Sequence, residues 1–218
     1  VMFKTKYAKK MAISQNPMTG KMSGTMGNFV TSSLGSKNIV RAKAFGSRDA
    51  NTEAQQKQRG GFKLIGELYP MLGSIPEEGF VQRDSETSVY AAFMAANLKE
   101  AIDKTGETAV IDYSKLVVSD GSLSKVIVTE TTLDETGITV KYLPSLKNEL
   151  NKATDEIVAL ALLASGELWV ERQPRGSELT NSLLIPAPSV NTADILGIYV
   201  FAKRADGSKS SKTVYIHL

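Results

Sequence analysis

The side chains that could do chemistry are few and scattered. There is one histidine, His217, and there are no cysteines. Cysteine nucleophiles, disulfides and thiolate zinc sites are therefore excluded, and one chain cannot assemble a multi-histidine metal centre. A Ser-His-Asp triad would depend on His217 alone, and no companion groups accompany it. Two carboxylate pairs come close enough in sequence to suggest acid–base work, Asp112 with Asp120 and Glu77 with Glu78. Glycoside hydrolysis needs two carboxyls held at a fixed separation across a substrate, and no pattern brings a second group to either pair. Asp155 and Glu156 precede a strand pattern and are expected to form a solvated turn rather than a calcium site. Trp169, in "GELWVERQ", is expected to be a core aromatic of a sheet rather than a sugar-stacking platform. The expectation is a non-enzymatic protein without metal or cofactor.

One spacing does carry a physical meaning. Thr52 and Gln55 form Thr-x-x-Gln, the capping box in which each side chain satisfies a backbone donor of the other. Arg59 follows four residues after Gln55, on the same helical face. Phe62, Ile65, Tyr69 and Leu72 continue a period near 3.6, and Pro70 and Gly73 mark the end. Gly60 and Gly61 weaken this helix and would permit close approach of another backbone. Gln55 and Arg59 are candidates for an inter-subunit site or, as the preferred reading, an intramolecular clamp onto the preceding hairpin.

The elements around this helix start follow from periodicity. Residues 1 to 22 lack it and read as an extended arm. "GNFVTSS" and "NIVRAKA", joined by "LGSK", read as a β-hairpin over residues 27 to 43. A second helix is expected from Ser88 to about Lys104, capped by Asp84 or Ser85, with "GSIPEEGFVQRD" as a loop before it. From residue 107 the period changes to two. "TAVIDYSKLVVSDG", "SKVIVTET", "GITVKYLP", "EIVALALLA", "GELWVERQ", "SLLIPAP" and "DILGIYVFAK" succeed one another between turns. The fold class expected is mainly β with α: an antiparallel, immunoglobulin-like β-sandwich preceded by two helices and an N-terminal arm with a β-hairpin. The corresponding divisions are 1–48, 49–106 and 107–218. "EIVALALLA" is apolar on both faces and belongs at the centre of a sheet.

Charge is divided along the chain. Residues 1 to 48 hold nine Lys or Arg and no Asp or Glu. The totals are 26 basic and 23 acidic residues. The remainder thus carries 17 basic and 23 acidic residues, a balance of −6. Such an arm suits an acidic surface, including the body of another copy, or nucleic acid. No apolar run approaches a membrane span, and no signal peptide is expected.

"GTMGNFV", "NIVRAKA", "NTEAQQKQRGGF", "YAAFMAANLKEAI", "IDYSKLVVSDGSL", "DEIVALALL" and "IYVFAKRADGSKSSKTVYI" together resemble an uncharacterised family of about this length, seen in Bacteroidota and their phages. The resemblance runs nearly end to end. Its Asn-x-x-Thr-x-x-Gln-x-x-x-Arg signature has Thr52, Gln55 and Arg59 here, while Arg48 or Asp49 stands where the family has Asn. Similar helix starts recur in phage structural proteins. By analogy, the resemblance implies a virion role such as a tail or neck ring, made of copies of the chain beside neighbouring virion proteins. The assembly interface expected from the residues is Phe29, Val30, Ile39, Val40, Arg41 and Lys43 of the hairpin, with Gln55 and Arg59. The alternatives are a surface β-sandwich that binds carbohydrate or a host receptor, and a nucleic-acid-binding protein using the basic arm. The arm's aromatics include Phe3, Tyr7 and Phe29, and it has no binding motif, so nucleic acid is not favoured.

Overall fold

The computed structural model describes residues 11–14, 20–35, 37–44, 51–144, 150–178, 180–187 and 191–217. The chain divides into two compact units, Val1–Asn51 and Thr52–Leu218.

In the first unit the hairpin is present, as β3 (Phe29–Leu34) and β4 (Lys37–Ala42). Two further strands flank it, β1 (Met11–Ser14) and β2 (Gly24–Met26), in the order β1-β4-β3-β2. The arm expected over residues 1 to 22 is thus partly strand. The rest of that arm, residues 1–10 and 15–19, lies outside the described residues. Met26 pairs with Phe29 across a two-residue Gly27-Asn28 turn, and Gly27 has φ of 54°, the left-handed conformation such hairpin turns require.

In the second unit, α1 (Glu53–Met71) begins as the spacing predicts. Thr52 accepts from the Gln55 amide, and the Gln55 side chain accepts from the Thr52 amide. Ile65, Leu68 and Leu72 form its buried stripe. Phe62 departs from the expected stripe and is 49% exposed. The inward position one residue earlier belongs to Gly61, because Ile102 lies 3.1 Å from where a Cβ would stand. The glycine pair accommodates side chains of the neighbouring hairpin rather than another backbone. A short helix, α2 (Ile75–Gly79), occupies the segment expected to be loop, with Pro76 in its first turn.

The second long helix, α3 (Val89–Glu100), is capped by Ser88, not by Asp84 or Ser85. It stops before Lys104 because Ile102 and Asp103, as β5 (Ile102–Asp103), pair with β6 (Val110–Ile111). Only two residues of "TAVIDYSKLVVSDG" are strand. Asp112 then accepts from the Ser114 amide and starts a 3₁₀ turn at Tyr113–Lys115.

The remaining strands form two antiparallel sheets. One has the order β10-β9-β12-β13, from β9 (Glu156–Leu163), β10 (Leu168–Pro174), β12 (Ile195–Lys203) and β13 (Val214–Ile216). The other has the order β11-β8-β7, from β7 (Ile127–Asp134), β8 (Gly137–Leu143) and β11 (Asn181–Pro186). The two-residue period of β9 explains the layering. Val158, Leu160 and Leu162 pack with Ile65, Leu72 and Phe93 of the helical layer. Ile157, Ala159 and Ala161 face the other way, against Ile138, Val140, Leu183 and Ile185 of the second sheet. β12 repeats the alternation, with Tyr199 and Phe201 toward the helices and Ile198, Val200 and Ala202 toward the sheet. The result is mainly β: a four-on-three antiparallel sandwich with helices covering its outer face.

Candidate functional site

The hairpin residues expected at an assembly interface do not share one face. Phe29 pairs with Ala42, Val30 with Arg41, Thr31 with Val40 and Ser32 with Ile39. Alternation therefore puts Phe29 and Val40 on one side, and Val30, Ile39 and Arg41 on the other. Phe29 is 57% exposed, Val30, Ile39 and Val40 are half-buried, and Arg41 and Lys43 are exposed. Beside them Met26 and Leu34 are also more than half exposed. Among the described side chains here, the buried ones are polar. Asn38 is the hub: its amide donates to the Gly20 carbonyl at 2.6 Å, and its Oδ1 accepts from the Met22 amide and the Ser33 hydroxyl. Thr31 donates to the Gly24 carbonyl. Among the described residues, no buried hydrophobic side chain precedes Ile65. Gln55 spends its side-chain oxygen on the capping box, and both Gln55 and Arg59 are exposed on α1.

Of the carboxylates singled out in the sequence, Asp112 and Glu78 make side-chain bonds. Asp112 bonds the Ser114 hydroxyl and, at 2.8 Å, Lys115. Lys115 and Ser114 hold its carboxyl below the usual carboxylate range. Glu77 is exposed, whereas Glu78 is the centre of an ionic group that no local pattern announces. It accepts from Arg172 at 2.6 Å and from Lys203 at 2.8 Å, and Lys203 also reaches Glu156 at 2.9 Å. Burial alone would raise the Glu78 pKa, but the Arg172 and Lys203 bonds outweigh it and the net direction is down. A depressed folded-state pKa adds stability above the ordinary carboxylate range and loses it as pH falls through the lowered value. The expected result is that Glu78→Gln unfolds at lower denaturant than the parent at pH 7. That gap narrows as pH falls below the ordinary Glu value of about 4.3 and closes as pH passes through the lowered folded-state value. Urea titrations at pH 7 and pH 3.5 measure it.

Asp155 is not the solvated turn expected from its position before β9. It is fully buried because its Oδ2 accepts from the Lys152 amide at 2.8 Å while its Oδ1 lies 3.4 Å from Arg204 Nε. Arg175, also fully buried, donates through its own amide to the Asp155 carbonyl and through Nη1 to the Pro144 carbonyl. Burial lowers the Arg175 pKa, and Asp155 opposes that shift. Trp169 is half-buried and packs on the core between the two sheets. His217 is exposed beside a small hollow of about 140 Å³ lined by Thr192 and Tyr215. No three metal-ligating side chains cluster among the described residues, and no helix there is long and apolar enough to cross a membrane.

An open basin of about 530 Å³ lies between the end of α3, the segment after the 3₁₀ turn, and the approaches to β7 and β13. Lys99, Lys115, Lys125 and Lys212 line it, with Ser119 and Thr213. Sequence reasoning missed it because the four lysines come from four separate segments.

The chain matches the model of a family of unknown function, DUF6266, over residues 20–217. It belongs to that family. The DUF6266 match takes in the hairpin, the capped helix and the whole sandwich, so the hairpin is part of the family's unit and not an appendage to it. No curated protein and no solved structure matches the chain.

Proposed function

We propose that this DUF6266 chain is a non-enzymatic assembly subunit, a virion structural component such as a tail or neck ring, that docks its N-terminal sheet on the body of a second copy. The observation that carries the reading is the make-up of the first unit. A four-stranded sheet needs an apolar partner surface to be stable in water. Among its described side chains, Thr31 and Asn38 are buried while Met26, Phe29 and Leu34 are more than half exposed. Charge favours another copy as the partner: nine basic and no acidic residues over 1–48, against a balance of −6 in the rest. Head-to-tail contacts of this kind close into rings when the rotation allows. The virion setting rests on the resemblance of the Thr52, Gln55 and Arg59 helix start to phage structural proteins.

Exposed ion pairs contribute only ~0–1 kcal/mol each, so charge orients the contact while the apolar side chains stabilise it. Phe29→Asp is therefore expected to convert the oligomer to monomer with the melting temperature of the sandwich unchanged. Raising salt is expected to slow assembly more than it weakens the finished oligomer. Native mass spectrometry and sedimentation read both. A parent protein that stays monomeric at high concentration contradicts the proposal, and so does a Phe29→Asp variant that assembles like the parent.

A further inference from the structure

We propose that the basin beside α3 is a binding site for a compact, multiply charged oxyanion carrying phosphate or sulfate groups. This inference is independent of the assembly reading. The second unit is acidic overall, yet four of its lysines converge on one concavity. Two of them are committed: Lys99 lies 3.2 Å from Glu100, and Lys115 lies 2.8 Å from Asp112. The other two, Lys125 and Lys212, are exposed and make no ion pair among the described residues. They are the ammonium groups available to a ligand.

The floor of the basin is prefixed rather than adaptable. Asn97, fully buried on α3, donates to the Val117 carbonyl and accepts from the Val117 amide, each at 2.8 Å. The Thr213 hydroxyl accepts from the amides of Val118 and Ser119 at 2.9 and 2.8 Å and bonds the Ser119 carbonyl. Leu123 bridges Ser211 in parallel, which holds the approach to Lys125 against that to Lys212. Four tethers thus fix the spacing of lysines that lie far apart in sequence, and fixed spacing lowers the ordering cost of binding.

Size and lining define the ligand class. About 530 Å³ exceeds what one inorganic phosphate fills and falls within the range of small-molecule sites. Among the described residues no aromatic side chain lines the basin, so a nucleobase would find no stacking partner there. Glu100 and Asp120 also line the basin and repel any anion, so binding rests on Lys125 and Lys212, the lysines that make no ion pair among the described residues. Lysine ammonium groups suit oxyanions as point charges without demanding a planar fork.

Isothermal titration calorimetry of the full chain at low salt, with inorganic tripolyphosphate and with sucrose octasulfate as probes, tests the proposal. The expected result is saturable binding near one ligand per chain for at least one probe, weakening as salt rises. The probe that binds more tightly assigns the phosphate or the sulfate source. Lys125→Gln/Lys212→Gln is expected to lose roughly tenfold in affinity or more. Lys63→Gln, on the exposed side of α1, is expected to bind like the parent. Circular dichroism confirms that the exposed-lysine variants remain folded. Linear, unsaturable heats with both probes overturn the site, as does a double variant that binds as tightly as the parent.

Discussion

Asp155→Ala is expected to cost the second unit about 3–5 kcal/mol, a large part of the ~5–15 kcal/mol that holds an ordinary domain together. The size follows from what the carboxylate leaves behind. Arg175 is fully buried and Arg204 is 9% exposed, and Asp155 is the acidic group that meets them. Their remaining contacts are carbonyls: Arg175 to Pro144 and Arg204 to Leu150. Arg175 Nε and Nη2 and Arg204 Nη1 have no hydrogen-bond partner among the described residues, so little remains to offset a lost charge. Alanine also removes the acceptor for the Lys152 amide, which opens the turn before β9. Asp155→Asn separates these effects. It retains a side-chain oxygen for the Lys152 amide and loses the charge, so its cost is expected to fall between those of the parent and alanine. Guanidinium chloride unfolding of the three proteins measures this. A loss below about 1 kcal/mol for Asp155→Ala would mean that the two guanidinium groups are compensated without it.

Gly79→Ala is expected to cost roughly 3 kcal/mol through overpacking, a fall in melting temperature of about 6–12 °C for a domain of this size. Gly79 closes α2 where three segments meet. Its carbonyl accepts from the Asp120 amide at 3.1 Å and from the Ser210 hydroxyl at 2.7 Å. An added Cβ would strike the Val118 carbonyl oxygen and the Ser119 Cα. Those are backbone atoms of the strap that Thr213 holds in place, so they have no rotamer with which to yield. Gly73 supplies the contrast. Its φ of 53° is left-handed, but its Cβ would enter open space. Gly73→Ala is therefore expected to cost only the backbone strain, about 1–2 kcal/mol. Differential scanning calorimetry of both variants checks the order; equal losses would show that conformation, not contact, dominates at Gly79.

Local signals account for the parts of this fold that the sequence made legible. The capping box at Thr52 and Gln55 is a contact between residues three apart, and it stands where the spacing puts it. The β9 segment is apolar on both faces from Ile157 to Leu163 because two layers cover it, and such a run has few other uses. What stayed hidden was set by partners distant in sequence. Helix α3 stops short because β5 pairs with β6, a competition that helix propensity does not register. Phe62 points outward because Ile102, from a segment distant in the chain, claims the space at Gly61. Asp155 reads as a surface turn residue until Arg204 and Arg175 close over it. Glu78 likewise gains its role from Arg172 and Lys203, and the four basin lysines gain theirs from the straps at Asn97 and Thr213. The hairpin residues expected at an interface do not share one face: strand alternation sets Phe29 and Val40 opposite Val30, Ile39 and Arg41.

Light scattering of the full chain beside a variant lacking residues 1–45 tests the assembly account most directly. The hydrophobic core starts at Ile65, so the truncated chain retains every buried apolar side chain of the described residues and is expected to keep the circular dichroism and cooperative unfolding of the sandwich. The account predicts a discrete oligomer for the full chain and a monomer for the truncated one at the same concentration. A truncated protein that forms the same oligomer as the parent would contradict it.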